Sequence, residues 1–119
     1  IPSTSFVKEA DCVGIYSGKQ ENKFEALGLT PVKSDVVNAP YVEEFAVVLE
    51  CEVLKVIAIG LHTQFIGEIK DIKVDESILA ENGLPDITKV QPFIYNSTGS
   101  DYYALGDCIG KAYSVGRRE

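Results

Sequence analysis

Few side chains in this 119-residue sequence have the chemistry of a reactive site, and His62 stands out as the only histidine. An imidazole can transfer protons, donate a hydrogen bond or bind a metal near neutral pH. A hydrolytic triad needs a positioned nucleophile beside the histidine, and the sequence points to no Ser-His-Asp or Cys-His arrangement. From spacing alone, a lone histidine at the start of a strand is more often structural or solvated than functional.

A lysine and three tyrosines are the other candidates for contact with a ligand. Lys23 stands near the start of a predicted short helix, where its charge opposes the helix dipole. A phosphate partner would explain this lysine, and an ordinary solvated side chain is the alternative. The tyrosines flank a predicted turn, where they could stack on a flat ring, line a dimer interface or pack in a core; they are Tyr95, Tyr102 and Tyr103.

The composition argues against several classes of protein. With 18 acidic and 11 basic residues the formal net charge is −7, which does not suit a nucleic-acid binder. The longest apolar runs, FAVVL (45–49) and VIAIGL (56–61), are much shorter than the roughly 20 residues that cross a bilayer. We therefore expect neither nucleic acid nor membrane among the partners.

The three cysteines, Cys12, Cys51 and Cys108, are odd in number and far apart. They form no CxxC pair and no His/Cys cluster, so the sequence predicts neither a disulfide framework nor a metal site and favours a reducing cytoplasm. Cys51 lies within an apolar strand pattern, and we expect it to be an inert core residue.

The elements that must position these residues follow from periodicity and from turn residues. A helix is predicted from the Ser3–Ser5 region to Gly18, and a short helix in NKFEALGL ends at Gly28. Alternation in YVEEFAVVLECEVLKV predicts a half-buried strand, and a second strand is predicted from Thr63 to Asp75. The remaining predictions are a short helix in DESILAEN and two strands at 93–95 and 102–104, joined by NSTGSD.

The second long strand changes its phase part of the way along. Phe65, Gly67 and Ile69 share one face, but further on the apolar positions are Ile72 and Val74. A shift of one residue moves every later side chain to the other face, so we predict a β-bulge near Lys70 and Asp71. Bulged antiparallel strands of this length favour a curled sheet or barrel, and the absence of β-helix-β alternation argues against a doubly wound sheet.

Several ordered motifs carry a family resemblance. The opening IPSTSFVKEADCVGIYSGKQENKFEALGLT contains a proline-serine start, an Asp-x-x-Gly, a Ser-Gly, a Lys-Phe-Glu and a Gly-Leu-Thr. Ala-Pro at 39–40, LECEV at 49–53, HTQFIGEI at 62–69 and PFIY…YYALG at 92–106 follow in order. This set resembles the flavoredoxin branch of the flavin reductase-like proteins, over nearly all of the chain.

The resemblance implies a mainly β fold with peripheral helices, namely an FMN-binding split β-barrel that is usually a homodimer with FMN at the subunit interface. Members transfer electrons through FMN or reduce flavin with a nicotinamide, so a nicotinamide donor or a redox protein is an implied partner. By resemblance Lys23, His62 and Tyr95 are cofactor-binding residues. No catalytic residue and no metal ligand is implied.

Family members carry a further N-terminal section before the motif that matches IPSTS. We therefore expect residues 1–119 to be a single flavin reductase-like domain that corresponds to the C-terminal portion of the family fold, N-terminally incomplete. The leading function is an FMN-binding redox protein, a flavin reductase-like oxidoreductase if the cofactor is bound. The alternative is a truncated split-barrel module that dimerises without binding flavin.

Overall fold

Three antiparallel β-hairpins and a few short helices form the secondary structure of the chain. The computed structural model describes residues 1–118. The strands are β1 (Pro31–Lys33), β2 (Pro40–Val42), β3 (Val47–Ile59), β4 (His62–Val74), β5 (Phe93–Asn96) and β6 (Asp101–Ala104). The helices are α1 (Val7–Ile15), α2 (Lys23–Leu27) and α3 (Ile87–Val90), with 3₁₀ turns at Thr4–Phe6 and Glu76–Ile78.

The expected mainly β architecture with few helices is confirmed, but the strands do not close into a barrel. They pair as β1–β2, β3–β4 and β5–β6, which gives three separate two-stranded sheets. Within residues 1–118 there is no closed barrel. A two-stranded sheet has two free edges and two faces to cover, so most of its surface stays exposed in the isolated chain.

The β3–β4 hairpin is the largest element, with 13 residues in each strand. Ile59 pairs with His62 across the two-residue loop Gly60–Leu61, and Val47 pairs with Val74 at the other end. Gly60 has a φ of +56°, the positive value that a type II′ turn requires at its first loop residue. The strands are about 40 Å long at the usual rise per residue.

Two register shifts interrupt this hairpin. Cys51 pairs with Ile69 and Glu50 with Asp71, so Lys70 is an extra residue on β4. The bulge predicted near Lys70 and Asp71 is therefore confirmed. A second shift makes Leu54 an extra residue on β3. A bulge bends and twists the strand that carries it. The alternation of apolar and polar residues in the sequence did not predict the bulge at Leu54.

The hairpin has one apolar face along its whole length. Residues directly opposite each other share a face, and the pairing places these apolar residues together: Val47, Leu49, Cys51, Val53, Val56, Phe65, Ile69, Ile72 and Val74. Only the base of this face is covered, because Val47 packs with Ile78 and Val90 in the small buried core. Beyond the base, the face is open to solvent.

Three sequence predictions are corrected by the structure. Cys51 is exposed and not a core residue, because residues 1–118 leave its part of the apolar face open to solvent. The helix predicted in DESILAEN is only a 3₁₀ turn, Glu76–Ile78, because Leu79 leaves it in extended conformation and bridges to Pro85. The first helix ends at Ile15 and does not reach Gly18.

The chain is more extended than its length predicts. Its radius of gyration is 17.1 Å, whereas about 13.5 Å is typical of a globular domain of this length. Its accessible surface is 9649 Å², whereas about 6,350 Å² is typical of a folded monomer of this mass. The surface in excess of a typical monomer is roughly 3,300 Å², and the open β3–β4 hairpin contributes to it.

Candidate functional site

Lys23 lies at the junction of α1 and α2. Asn22 caps α2, its side chain accepting from the backbone N–H of Phe24 at 3.2 Å, and Gly28 ends the helix with a φ of +64°. The Lys23 ammonium donates to the backbone carbonyl of Val13 at 2.6 Å. This carbonyl is one of the last in α1, where the helix dipole is negative, so Lys23 stabilises the end of α1.

The contact with the Val13 carbonyl gives Lys23 a structural role, although the charge of Lys23 opposes the dipole of its own helix, α2. An ammonium group has three N–H donors, and the contact with Val13 uses one of them. The other two can bind an anion. Lys23 also lines a shallow, open depression of about 590 Å³ formed by residues 18–23, together with Lys19.

Tyr95 lies on the β5–β6 hairpin opposite Tyr102, with the two ring centroids 5.3 Å apart. Phe93 packs edge-on against the other side of Tyr102, at 5.5 Å. The Tyr102 hydroxyl donates to a carboxylate oxygen of Asp11 in α1 at 2.9 Å. Tyr95 itself is 54% exposed, so a face of its ring is accessible to a flat ligand.

The contact with Asp11 changes the titration of Tyr102. The hydrogen bond to the Asp11 carboxylate raises the pKa of Tyr102 above 10.0, and desolvation and the Asp11 charge add to this. The neutral phenol is favoured because only that form can donate the bond. The sequence analysis missed Asp11 as a contact of the tyrosines, although Asp11 begins the Asp-x-x-Gly motif on which the resemblance partly rests.

His62 lies at the far end of the β3–β4 hairpin, directly after the Gly60–Leu61 loop, and is exposed. Its face of the hairpin is shared with Ile59, Ile57 and Ile66. Among residues 1–118, the side-chain hydrogen bonds, ion pairs and aromatic contacts include none made by residues 56–66. The imidazole therefore stands on an arm that no polar or aromatic side-chain contact fastens to the rest of residues 1–118.

The three predicted site residues thus fall into two groups. Lys23 bonds to Val13 of α1, and the Tyr95 ring packs at a tilt against Tyr102, which bonds to Asp11 of the same helix. His62 lies about 40 Å along the hairpin from the base, where the small core is packed. The structure places Lys23 and Tyr95 on one unit around α1, and His62 on another.

A second polar cluster, which the sequence analysis missed, lies on the polar face near the base of the hairpin. Glu50 is only 2% exposed. Its carboxylate accepts from the backbone N–H groups of Asp35 and Val36 at 3.4 and 3.0 Å and lies 3.3 Å from the Lys73 ammonium. Lys73 also bonds to Asp35 and Asp71.

These contacts explain two pKa shifts. The bond to Lys73 holds the pKa of Asp35 below its usual value. Bonds to Asp35 and then Asp71 raise the pKa of Lys73. The cluster fastens the loop at residues 34–36 to the hairpin, and each of its three carboxylates contacts the one Lys73 ammonium. These contacts are those of a structural clamp rather than of a reactive centre.

One cavity is separate from the predicted site residues. It has a volume of about 470 Å³ and lies between α3 and the segment after β6, where Thr4, Gln91, Leu105 and Cys108 are among its lining residues. Within the described part of the chain no group of His, Cys, Asp or Glu could hold a metal ion. None of the helices described for residues 1–118 is long and apolar enough to cross a membrane.

Comparison with known families gives a match over most of the chain. The family described as Flavin reductase like domain matches residues 1–102. An uncharacterized protein of Archaeoglobus fulgidus is 38% identical over 87 residues, which are 73% of this chain and 48% of that protein. The chain thus spans about half the length of this curated relative.

Solved structures of flavoredoxins have the same fold. The flavoredoxin of Desulfovibrio vulgaris (Miyazaki F) is 52% identical with a TM-score of 0.91, and the match covers 98% of this chain and 62% of that one. The flavoredoxin from Methanosarcina acetivorans is 28% identical with a TM-score of 0.87, covering 98% of this chain and 61% of that one.

Proposed function

The chain belongs to the family of flavin reductase-like domains, and on that premise we propose that it is a flavin-dependent redox protein of the flavoredoxin type that binds FMN. The similarity to two flavoredoxin structures, at 52% and 28% identity, supports the flavin as the class of cofactor. Because the chain spans less than two thirds of each of these proteins, the activity of the whole protein is part of the proposal.

Two features of the residues around α1 fit a flat, phosphorylated ring. Lys23 keeps two N–H donors for a phosphate after its contact with Val13. Tyr95 is 54% exposed and can offer a ring face for stacking. In this proposal Lys23 provides positive charge, Tyr95 lies against the ring, and His62 donates a hydrogen bond at the ring edge or positions the reductant.

When bound, the flavin supplies the redox chemistry, and this chain supplies binding, orientation and electrostatics. The electrons come from a nicotinamide donor or from a redox protein. We also propose that the protein is a homodimer in the cytoplasm. The three free cysteines suit that reducing compartment, and the roughly 3,300 Å² of excess surface suits a partner of the same chain.

One observation favours a second function. The exposed apolar face of β3–β4 is available for association whether or not flavin is bound. A module that dimerises without flavin is therefore the alternative.

Titration of the purified chain with FMN, followed by flavin fluorescence, separates the two functions. We expect saturable binding that is weakened by Lys23→Met, by His62→Ala and by Tyr95→Ala, with Gln64→Ala, on the same strand and face as His62, as the control. A dimer whose presence leaves FMN fluorescence unchanged would favour the alternative.

A further inference from the structure

Residues 109–118 (IGKAYSVGRR), which we call the basic segment, differ in charge from the rest of the chain. They contain Lys111, Arg117 and Arg118 and no Asp or Glu, which gives a charge of +3. The other residues, Glu119 included, carry all 18 acidic side chains and 8 of the 11 basic ones, a net charge of −10. A short stretch of an acidic chain is therefore strongly positive.

The basic segment is folded on itself. The backbone N–H of Ser114 donates to the carbonyl of Lys111 at 3.2 Å, and the Arg117 Nε donates to the carbonyl of Tyr113 at 2.8 Å. The hydrogen bonds described for the segment join it only to itself and to the neighbouring Cys108. Because this conformation is already formed, binding of a partner requires little further ordering of the segment.

The apolar side chains of the basic segment face solvent. Ile109 is 99%, Tyr113 94% and Val115 76% exposed. Tyr113 has a φ of +62°, a conformation that a bulky side chain rarely adopts and that is concentrated at functional sites. Among residues 1–118, no carboxylate pairs with any of the three cations of the segment. Since tyrosine and arginine dominate the affinity of many interfaces, the segment has the composition of a binding element.

The charge distribution indicates which kind of partner fits this segment. A nucleic acid or an anionic membrane presents negative charge over an extended surface, which the net charge of −10 on the rest of the chain repels. An acidic protein surface presents its carboxylates over a limited patch. Such a surface can also offer an apolar hollow between the carboxylates, as the buried centres of protein interfaces do.

We propose that the basic segment docks on an acidic surface of a different protein. Lys111, Arg117 and Arg118 pair with carboxylates of that protein, and Ile109 and Tyr113 insert between them. The rest of this chain repels the same acidic surface, so the segment also fixes the orientation of the complex. The inference does not rest on the proposed function, because the segment lies after residue 102, where the match to the family domain ends.

A fluorescein-labelled random copolymer of glutamate and tyrosine serves as the acidic probe, titrated with the whole chain and followed by fluorescence anisotropy. We expect saturable binding that weakens as salt is added. Combined Lys111→Gln, Arg117→Gln and Arg118→Gln should raise the dissociation constant at least about tenfold.

The matched control removes the same charge elsewhere. Lys8→Gln, Lys33→Gln and Lys55→Gln are combined in one chain, because all three lysines are exposed and none pairs with a carboxylate among residues 1–118. This variant should change the dissociation constant by less than about twofold.

A further variant tests the apolar contacts without changing the charge. Ile109→Ser combined with Tyr113→Ser should bind the copolymer no better than the wild-type chain binds labelled polyglutamate, which lacks the aromatic rings. Circular dichroism should show the same fold in all variants, because the replaced side chains are exposed.

Three outcomes overturn the proposal, whether or not FMN binds. The first is absence of copolymer binding by the wild-type chain. The second is an equal loss of affinity in the two triple variants, which would mean that the probe senses only net charge. The third is sedimentation of the chain with phosphatidylserine vesicles but no binding to the copolymer, which would assign the segment to a membrane surface instead.

Discussion

The hydroxyl of Tyr102 donates a hydrogen bond to the carboxylate of Asp11, 2.9 Å away and 91 positions earlier in the chain. This bond fastens the β5–β6 hairpin to helix α1. Since the Tyr102 ring also packs at a tilt against the Tyr95 ring, the position of the exposed Tyr95 ring depends on the same bond. Two predictions about the proposed site, two about the fold and one about the dimer follow from the structure.

The first prediction concerns the titration of Tyr102. Its pKa is raised in the folded chain, so the stabilisation from the Asp11 bond is complete below about pH 10 and is lost as the pH rises through the folded value. Phenolate absorbance should show one of the six tyrosines titrating late. Tyr102→Phe should remove that late step, and Asp11→Asn should shift it downward. A late step that survives Tyr102→Phe contradicts the assignment.

The second prediction uses the same bond to test the role of Tyr95. Tyr102→Phe keeps the aromatic ring but removes the hydroxyl, so the hairpin is released from α1 while stacking on Tyr95 remains possible. We expect weaker FMN binding by Tyr102→Phe, measured by fluorescence titration. Tyr103→Phe is the control, since Tyr103 lies on the opposite face of the hairpin. Equal affinities for the two variants would show that the Asp11 bond does not position the ring.

The third prediction concerns the buried carboxylate of Glu50. Glu50→Ala leaves two backbone N–H groups and the Lys73 ammonium without their acceptor, which should cost about 2 kcal/mol of unfolding free energy. Glu52→Ala, on the same strand and face but exposed, should cost much less. Urea unfolding of both variants checks this. Equal losses of unfolding free energy in the two variants would show that the buried Glu50 carboxylate does not clamp residues 34–36 to the hairpin.

The fourth prediction concerns the turn that carries His62. Gly60 has a positive φ and no atom within 4 Å of an added Cβ, so Gly60→Ala should lose about 1 kcal/mol through backbone strain alone. Gly106→Ala, equally open but without a positive φ, is the matched control and should lose nothing. Thermal unfolding measures both. A neutral Gly60→Ala would show that the turn relaxes without cost.

The fifth prediction concerns the exposed arm. In an isolated chain, polar replacement of exposed side chains leaves the fold intact. Leu61→Ser combined with Phe65→Ser should therefore keep the chain folded but shift it from dimer to monomer in sedimentation velocity. Ile109→Ser, at a side chain that is 99% exposed outside the arm, should keep the dimer. A double variant that still dimerises would remove the arm from the interface.

The sequence predicted the local features well because they depend on neighbouring residues. The alternation around Glu50 and the phase change near Lys70 specified both long strands and a bulge, and Asn22 and Gly28 delimited the second short helix. The predicted helix in DESILAEN failed because a bridge between Leu79 and Pro85 replaced it, which is a contact that local propensity does not contain.

Features that depend on residues far apart in the sequence could not be predicted from local patterns. Cys51 has the pattern of a core residue, but its burial depends on what covers the apolar face, and the described part of the chain leaves Cys51 exposed. The Asp11–Tyr102 bond joins opposite ends of the sequence. The roles of Lys23, His62 and Tyr95 toward a flavin rest on family resemblance and stay predictions.

The most direct test of the account is gel filtration of the purified chain after incubation with excess FMN. Flavin absorbance should elute with the protein in a fixed ratio near one flavin per chain, at the volume of a dimer. Elution of all flavin in the small-molecule fraction, with a colourless protein peak, would contradict the central claim that this chain holds FMN.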